Sequence, residues 1–313
     1  MTPPTHSSPG QNALLRFKRN RAAVISTWFL LILIIAIAAW PVVLKISPAH
    51  FAQLHNPNQL SDAQFAPPSA QHWFGTDVHG RDLFSRCLSG AQISLLVGIV
   101  GALVSLIIGV LWGAIAGYAG GRTDAILMRV VDVLYSLPTV IFVIVLLTTL
   151  GEIIKQSHWV KSSPALAGSL RVMLLFVGLG AVSWLTMARI VRGQVLSLRT
   201  RAFVEASRAL GAKPHWILAR HIIPNIFGVA ITYLALTMPA IILYESFLSY
   251  LGLGVQPPMA SWGTLIADGV SQINPIRIYW WLIVFPGGVL VTTLLALNFL
   301  GDGLRDSLDV KSK

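Results

Sequence analysis

The sequence predicts an all-α membrane protein with six transmembrane helices, on three observations. Hydrophobic residues make up 55% of the 313 and charged residues only 11%, where a soluble domain carries about 25% charged. Six apolar runs approach the roughly 20 residues that a helix needs to cross a bilayer. Lys and Arg fall mainly in alternate loops between those runs, the asymmetry that sets orientation in a membrane. The mean hydropathy of +0.70 agrees.

The six spans are Ala22–Leu44, Gln92–Tyr118, Val130–Leu150, Gly168–Ala188, Ile222–Tyr244 and Tyr279–Leu300. The first follows Arg16, Lys18, Arg19 and Arg21, as a signal peptide would. Its apolar run is too long for one and no small-residue cleavage site follows, so it reads as a retained anchor. The second carries Gly98, Gly101, Gly109 and Gly113, and the fourth Gly178 and Gly180; small residues let helices pack closely. Pro138, Pro239 and Pro286 sit in the third, fifth and sixth, where each removes a backbone hydrogen bond and kinks the helix; Gly287 and Gly288 follow the last. Trp262, Trp280 and Trp281 fit an outer interfacial belt. The middle of each span lacks Asp, Glu, Lys and Arg, which disfavours a gradient-driven carrier, since such carriers keep ionisable groups near the midplane.

The N-terminus, second loop, fourth loop and C-terminus hold 16 Lys and Arg, against 6 in the other three loops, with Arg171 left at the outer end of the fourth span. Both termini are therefore expected in the cytoplasm. The chain divides into a tail over 1–21, a first helix with its external loop over 22–91, a core over 92–301 and a tail over 302–313. The net charge of +11 does not signal nucleic acid, because the charges lie between apolar runs and not on one soluble face. The lone Cys87 excludes an intrachain disulfide and a cysteine metal cluster, and the eight histidines lack metal-site spacing. No G-x-x-x-x-G-K-[ST] phosphate loop is present.

The fourth loop holds the most informative stretch, Arg201–Asn225, RAFVEASRALGAKPHWILARHIIPN. Phe203, Ala206 and Leu210 form an apolar stripe on a short helix, and Arg201, Glu205 and Arg208 are within reach of one another on other faces. Gly211 suits a left-handed cap and Pro214 the first turn of a second helix over His215–His221. Two readings stand: a docking element, or an amphipathic segment lying on lipid headgroups. A second stretch, Glu245–Pro258, is too short to span and too apolar for a free loop, so a re-entrant or interfacial segment is expected. There Glu245, Phe247 and Leu251 either gate the outer mouth or pack the bundle.

Glu205-Ala206-Ser207, with Gly211 six and Pro224 nineteen positions after the glutamate, resembles the EAA loop of binding-protein-dependent ABC importers, here over about 189–221. Further matching stretches are HWFGTDVHGRDLFSRCLS (His72–Ser89), GAIAGYAGGRTDAILMRVVDVLYSLP (Gly113–Pro138), ESFLSYLGLGVQPPMASWG (Glu245–Gly263) and the closing NFLGDGLRDSLDV. From about Leu14 onward the chain resembles the C-type permease subunit of dipeptide/oligopeptide ABC importers, and LLRFKRNRAA resembles that subfamily's N-terminal module. Two positions depart from the pattern: Ser207 is the third EAA residue, and His221 stands where isoleucine is expected.

The resemblance implies an ABC type I importer permease fold in the bacterial cytoplasmic (inner) membrane, this chain forming half of a peptide pore with a homologous second permease subunit. It implies two ATP-binding subunits that carry ATP and Mg, no cofactor on this chain, no enzymatic activity, and an extracytoplasmic binding protein that delivers the peptide. Phe203, Glu205, Ala206, Ser207, Leu210, Gly211 and Pro224 would couple to an ATPase. Asp77, Arg81 and Asp82 would either touch the binding protein or close local salt bridges. Related permeases move glutathione, nickel complexes or antimicrobial peptides, and a partner-independent channel or gradient-driven carrier is the rival class. A membrane-embedded hydrolase lacks a His beside the Ser and Thr of the spans.

Overall fold

The computed structural model describes residues 9–156, 164–257 and 259–308. The loop with Lys161, Pro258 and the end of the C-terminal tail with Lys311 and Lys313 lie outside the described residues, as do the side chains of Lys155 and Arg171. Among the described residues every element is helical, apart from one isolated antiparallel bridge between Thr76 and Asp82.

Asn20 separates α1 (Pro9–Arg19) from α2 (Arg21–Ile46), its side-chain oxygen accepting from the Ala23 N–H at 3.2 Å, which satisfies one orphan donor of the first turn. The expected tail over 1–21 is thus helical from Pro9, and α1 packs on the last helix, where a Cβ on Gly303 would run into Ala23 of α2 and crowd Phe17 of α1. After α3 (Ala49–Leu54) the connecting loop folds back to Asp82, which caps α4 (Leu83–Ala119) by accepting from the Ser85 N–H at 3.0 Å. That cap starts α4 well before the expected Gln92. At 1.5 Å per residue α4 is about 55 Å long, well beyond the roughly 30 Å of a hydrocarbon core.

The expected third span, Val130–Leu150, is two helices. α5 (Gly121–Tyr135) and α6 (Thr139–Gln156) meet at 85°. Pro138 lacks an N–H and drives the residue before it out of helical geometry, so the chain breaks at Ser136–Pro138 and does not merely kink. α7 (Pro164–Leu198) runs ten residues past the expected Ala188. Its basic end finds acceptors on α5: Arg192 binds Asp124 with both Nε (2.5 Å) and Nη2 (2.6 Å), and Arg189 binds Asp132 at 2.8 Å while covering the Tyr135 ring.

The segment after α7 then folds as α8 (Ala202–Ala209), α9 (Pro214–Ile217) and a π-helical turn over Leu218–Ile222, leading into α10 (Ile223–Tyr250). α11 (Trp262–Ser271) and α12 (Trp281–Leu308) complete the chain, so the tail expected from 302 is helical to Leu308. The expected separate element at Glu245–Pro258 is corrected in its first half: Glu245–Tyr250 are the last turns of α10. The chain reverses at Gly252 (φ +76°) and returns as α11, packed on α4, α10 and α12. Five helical stretches are long and apolar enough to cross a membrane, and the bent α5–α6 pair makes a sixth.

α4 is the hub. It lies along α7 and also meets α2, α5, α10, α11 and α12. The close approach rests on glycines one turn apart: a Cβ at Gly109 would stand 2.6 Å from Met187 Cγ, and one at Gly117 2.9 Å from Arg192 O. At Gly113 it would run into the Ala188 carbonyl. Gly287 and Gly288, by contrast, have nothing within 4 Å.

Candidate functional site

The loop between α7 and α10 is held from one side only. Val204 is 0% exposed and joins Ile217, Ile222 and Ile226 in a cluster with Val191 and Val195 of α7 and Ala114 of α4. Each such burial contributes on the order of 1.5–3 kcal/mol, enough to fix two short helices that would not form alone. Sequence reasoning missed Val204. Its signal was its place one residue past the chosen stripe, at i, i+13 and i+18 with Ile217 and Ile222, a relation across a turn that helical periodicity does not capture.

The stripe read from sequence, Phe203, Ala206 and Leu210, faces the other way, and Trp216 of α9 joins it. Phe203 is 41% exposed, Leu210 88% and Trp216 48%, with Glu205 and Ala206 exposed between them. Gly211 adopts φ +81°, and the Ala212 N–H reaches back to Ser207 O at 3.1 Å, a Schellman-type closure of α8. Pro224 lies in the first turn of α10. It cannot donate to the Arg220 carbonyl, and the preceding turn widens so that the Ile223 N–H bonds Leu218 O, the π geometry that a missing donor favours. Ser207 Oγ donates to Phe203 O at 2.9 Å and lies 3.2 Å from His221 Nε2. His221 in turn packs edge-on against Trp216 at 5.0 Å. Arg208 reaches the Tyr118 ring of α4 at 5.4 Å.

At the other end of α4, the three charged residues of the loop before it turn inward. Asp82 is 0% exposed; besides capping α4 it meets His72 Nδ1 at 3.0 Å and His55 Nδ1 at 3.4 Å. Asp77 is buried too, accepting from the His79 and Arg81 N–H groups and pairing with Arg81 Nε at 2.7 Å. A binding-protein contact through Asp82 or Asp77 is therefore corrected to a structural role, since neither carboxylate has a surface to offer. Arg81 borders a cavity of about 350 Å³ that also includes Arg86, Tyr250, Gln256 and Asp268. Burial pushes the Asp268 carboxyl above its usual range, against the pull of nearby Arg86.

Glu245 is fully enclosed, and its partners are hydroxyls: Ser249 Oγ donates at 2.6 Å and Ser94 Oγ at 3.0 Å. Ser94 also accepts from the Trp262 N–H at 3.3 Å, so one carboxyl joins α4, α10 and α11. Phe247 of α10 and Leu251, its C-cap, are exposed. Among the described residues no group of His, Cys, Asp and Glu could hold a metal.

Residues 109–312 match the family described as the binding-protein-dependent transport system inner membrane component, and residues 8–68 the N-terminal transmembrane domain of oligopeptide transport permease C. The chain belongs to this family of importer permeases. It is 43% identical to the oligopeptide transport system permease protein OppC of Haemophilus influenzae over 97% of this chain and 89% of that protein. Against OppC of Escherichia coli K12 the identity is 43%, covering 97% and 91%; against the dipeptide transport system permease protein DppC of Bacillus subtilis it is 42%, covering 96% and 85%. Among solved structures, a chain of the inward-facing MetNI methionine ABC transporter superposes with TM-score 0.54 over 72% of this permease and 97% of that chain, at 18% identity. The permease thus has the ABC type I importer fold, with the N-terminal module of the peptide subfamily added before it.

Proposed function

We propose that this chain is the transmembrane permease subunit of an ATP-driven importer, forming half of the pore for peptides delivered by an extracytoplasmic binding protein. The observation that carries the coupling half of this reading is the α8–α9 loop: Val204, Ile217 and Ile222 fasten it to the bundle while Phe203, Leu210 and Trp216 stand uncovered. An apolar face fixed so rigidly and left open is suited to a partner's groove. That partner is an ATPase subunit, which supplies ATP and Mg; this chain binds neither. The peptide substrate rests on the 42–43% identity to oligopeptide and dipeptide permeases. Orientation with both termini inside a bacterial cytoplasmic membrane is supported by the loop charges and puts α8 on the side where ATP is.

Reconstitution tests the reading. The chain would be placed in liposomes with a homologous permease subunit, two ATPases and a binding protein, and uptake of a labelled tripeptide measured. Uptake that requires ATP and every subunit is the expected result. Peptide flux through this chain alone would replace the importer with a channel or carrier.

A further inference from the structure

Arg86 stands on the first turn of α4 at the junction of two outer cavities, of about 350 Å³ and about 160 Å³. The side chain is 5% exposed. Its Nε lies 3.4 Å from Asp77 Oδ2 and its Nη2 3.7 Å from Asp268 Oδ2, yet neither Nε nor Nη1 has a hydrogen-bond partner among the described residues. Arg81 takes the near side of Asp77 at 2.7 Å, which leaves Arg86 with ionic neighbours and no aligned acceptor. A guanidinium presents five N–H donors in a fixed fork, and burying it with donors unmade is costly. The group that satisfies such a fork is a carboxylate.

The cavity around it suits the end of a peptide. Val255, Met259 and Tyr250 form an apolar wall, while Gln256, Gln272 and Thr264 offer amide and hydroxyl groups, a mix typical of small-ligand pockets of a few hundred Å³. Arg86 lines the same cavity. We propose that this outer cavity is a transit site for a short peptide, with Arg86 holding its terminal carboxylate. The inference rests on the peptide-importer reading.

The test compares trialanine with trialanine amide, by saturation binding to the assembled permease–ATPase complex in nanodiscs without binding protein. Wild type is expected to bind the acid about tenfold more tightly than the amide. Arg86→Gln abolishes that preference and Arg86→Lys keeps part of it, as a charge without the fork. Equal affinities, no saturable binding, or a preference surviving Arg86→Gln each overturn the proposal. So does weaker docking of the binding protein to Arg86→Gln with the acid-to-amide ratio unchanged, which would assign the carboxylate to that protein. If Arg86→Gln fails to assemble, the wild-type comparison decides alone. ATP-dependent uptake by the full importer separates the two levels: uptake without acid preference in the nanodisc assay sinks the site and leaves the importer, whereas no uptake by any assembled form sinks the importer.

Discussion

Ser207 and His221 touch: the hydroxyl lies 3.2 Å from Nε2, bridging α8 to the π turn. These are also the two positions at which the loop departs from the EAA pattern that the sequence resembles. A double-mutant cycle should show the contact. Ser207→Ala and His221→Ile made together should cost less than the sum of the single changes, with a coupling of about 0.5–1.5 kcal/mol, the worth of one hydrogen bond. Thermal unfolding of the assembled complex in nanodiscs reads it; strict additivity would show that the two side chains do not cooperate.

Gly211 tests whether the turn is a matter of backbone or of space. Its φ is +81°, and a Cβ there would meet nothing within 4 Å. The demand is therefore conformational alone. Gly211→Asn, tolerant of left-handed geometry, should transport nearly as wild type, Gly211→Ala should cost about 1 kcal/mol, and Gly211→Val more. Equal transport by Asn and Val variants at equal expression would sink this account.

The α4–α7 contact makes the opposite prediction. Gly113→Val drives a side chain into the Ala188 backbone, so it should cost at least about 1–3 kcal/mol and reduce the yield of folded permease in detergent. Gly288→Ala, in open space, should stay within about 1 kcal/mol of wild type. Comparable losses at both sites would mean that the glycines serve flexibility and not close approach.

Topology follows from the loop charges. Reporter fusions at Thr123 and Thr200 should be cytoplasmic, and those at Asn58 and Met259 external. A cytoplasmic Asn58 with an external Thr200 would put α8 on the side away from ATP and overturn the coupling assignment.

The sequence disclosed what depends on local pattern and concealed what depends on a distant partner. Composition and apolar run length were enough for α2 and α12. Gly211 was legible because a backbone constraint is written in one residue. The early start of α4 was hidden because Asp82 reads as a loop charge until His55, His72 and Ser85 surround it. Glu245 was placed past the fifth span, in a re-entrant or interfacial segment, because the hydroxyls that let it stay inside α10 include Ser94, 151 residues away. The stripe through Phe203 was legible as an outward face for a partner or for lipid, and Phe203 and Leu210 are indeed exposed; what it did not disclose is the buried face behind it. Amphipathicity says that one face is apolar; whether the chain itself or another protein covers it is decided by Val204, Ile217 and Ile222 meeting in space.

That directional contrast gives the sharpest test of coupling. Phe203→Asp and Leu210→Asp alter exposed side chains, so the permease should fold and insert normally, while affinity for the ATPase falls about tenfold or more, because a charge placed in a docked apolar contact must be desolvated. Glu205→Lys should weaken association less, since its carboxylate is exposed and screened. Val204→Asp puts the same charge at a fully buried position and should prevent stable folding outright. Pull-down of the ATPase, alongside gel-filtration profiles of each variant, separates the two classes. Ala206→Cys, exposed between Phe203 and Leu210, should crosslink to the ATPase with a yield that changes with ATP. If Phe203→Asp and Leu210→Asp bind the ATPase as wild type does, and Ala206→Cys reacts only with lipid probes, the uncovered stripe belongs to the membrane surface and the ATPase must dock elsewhere.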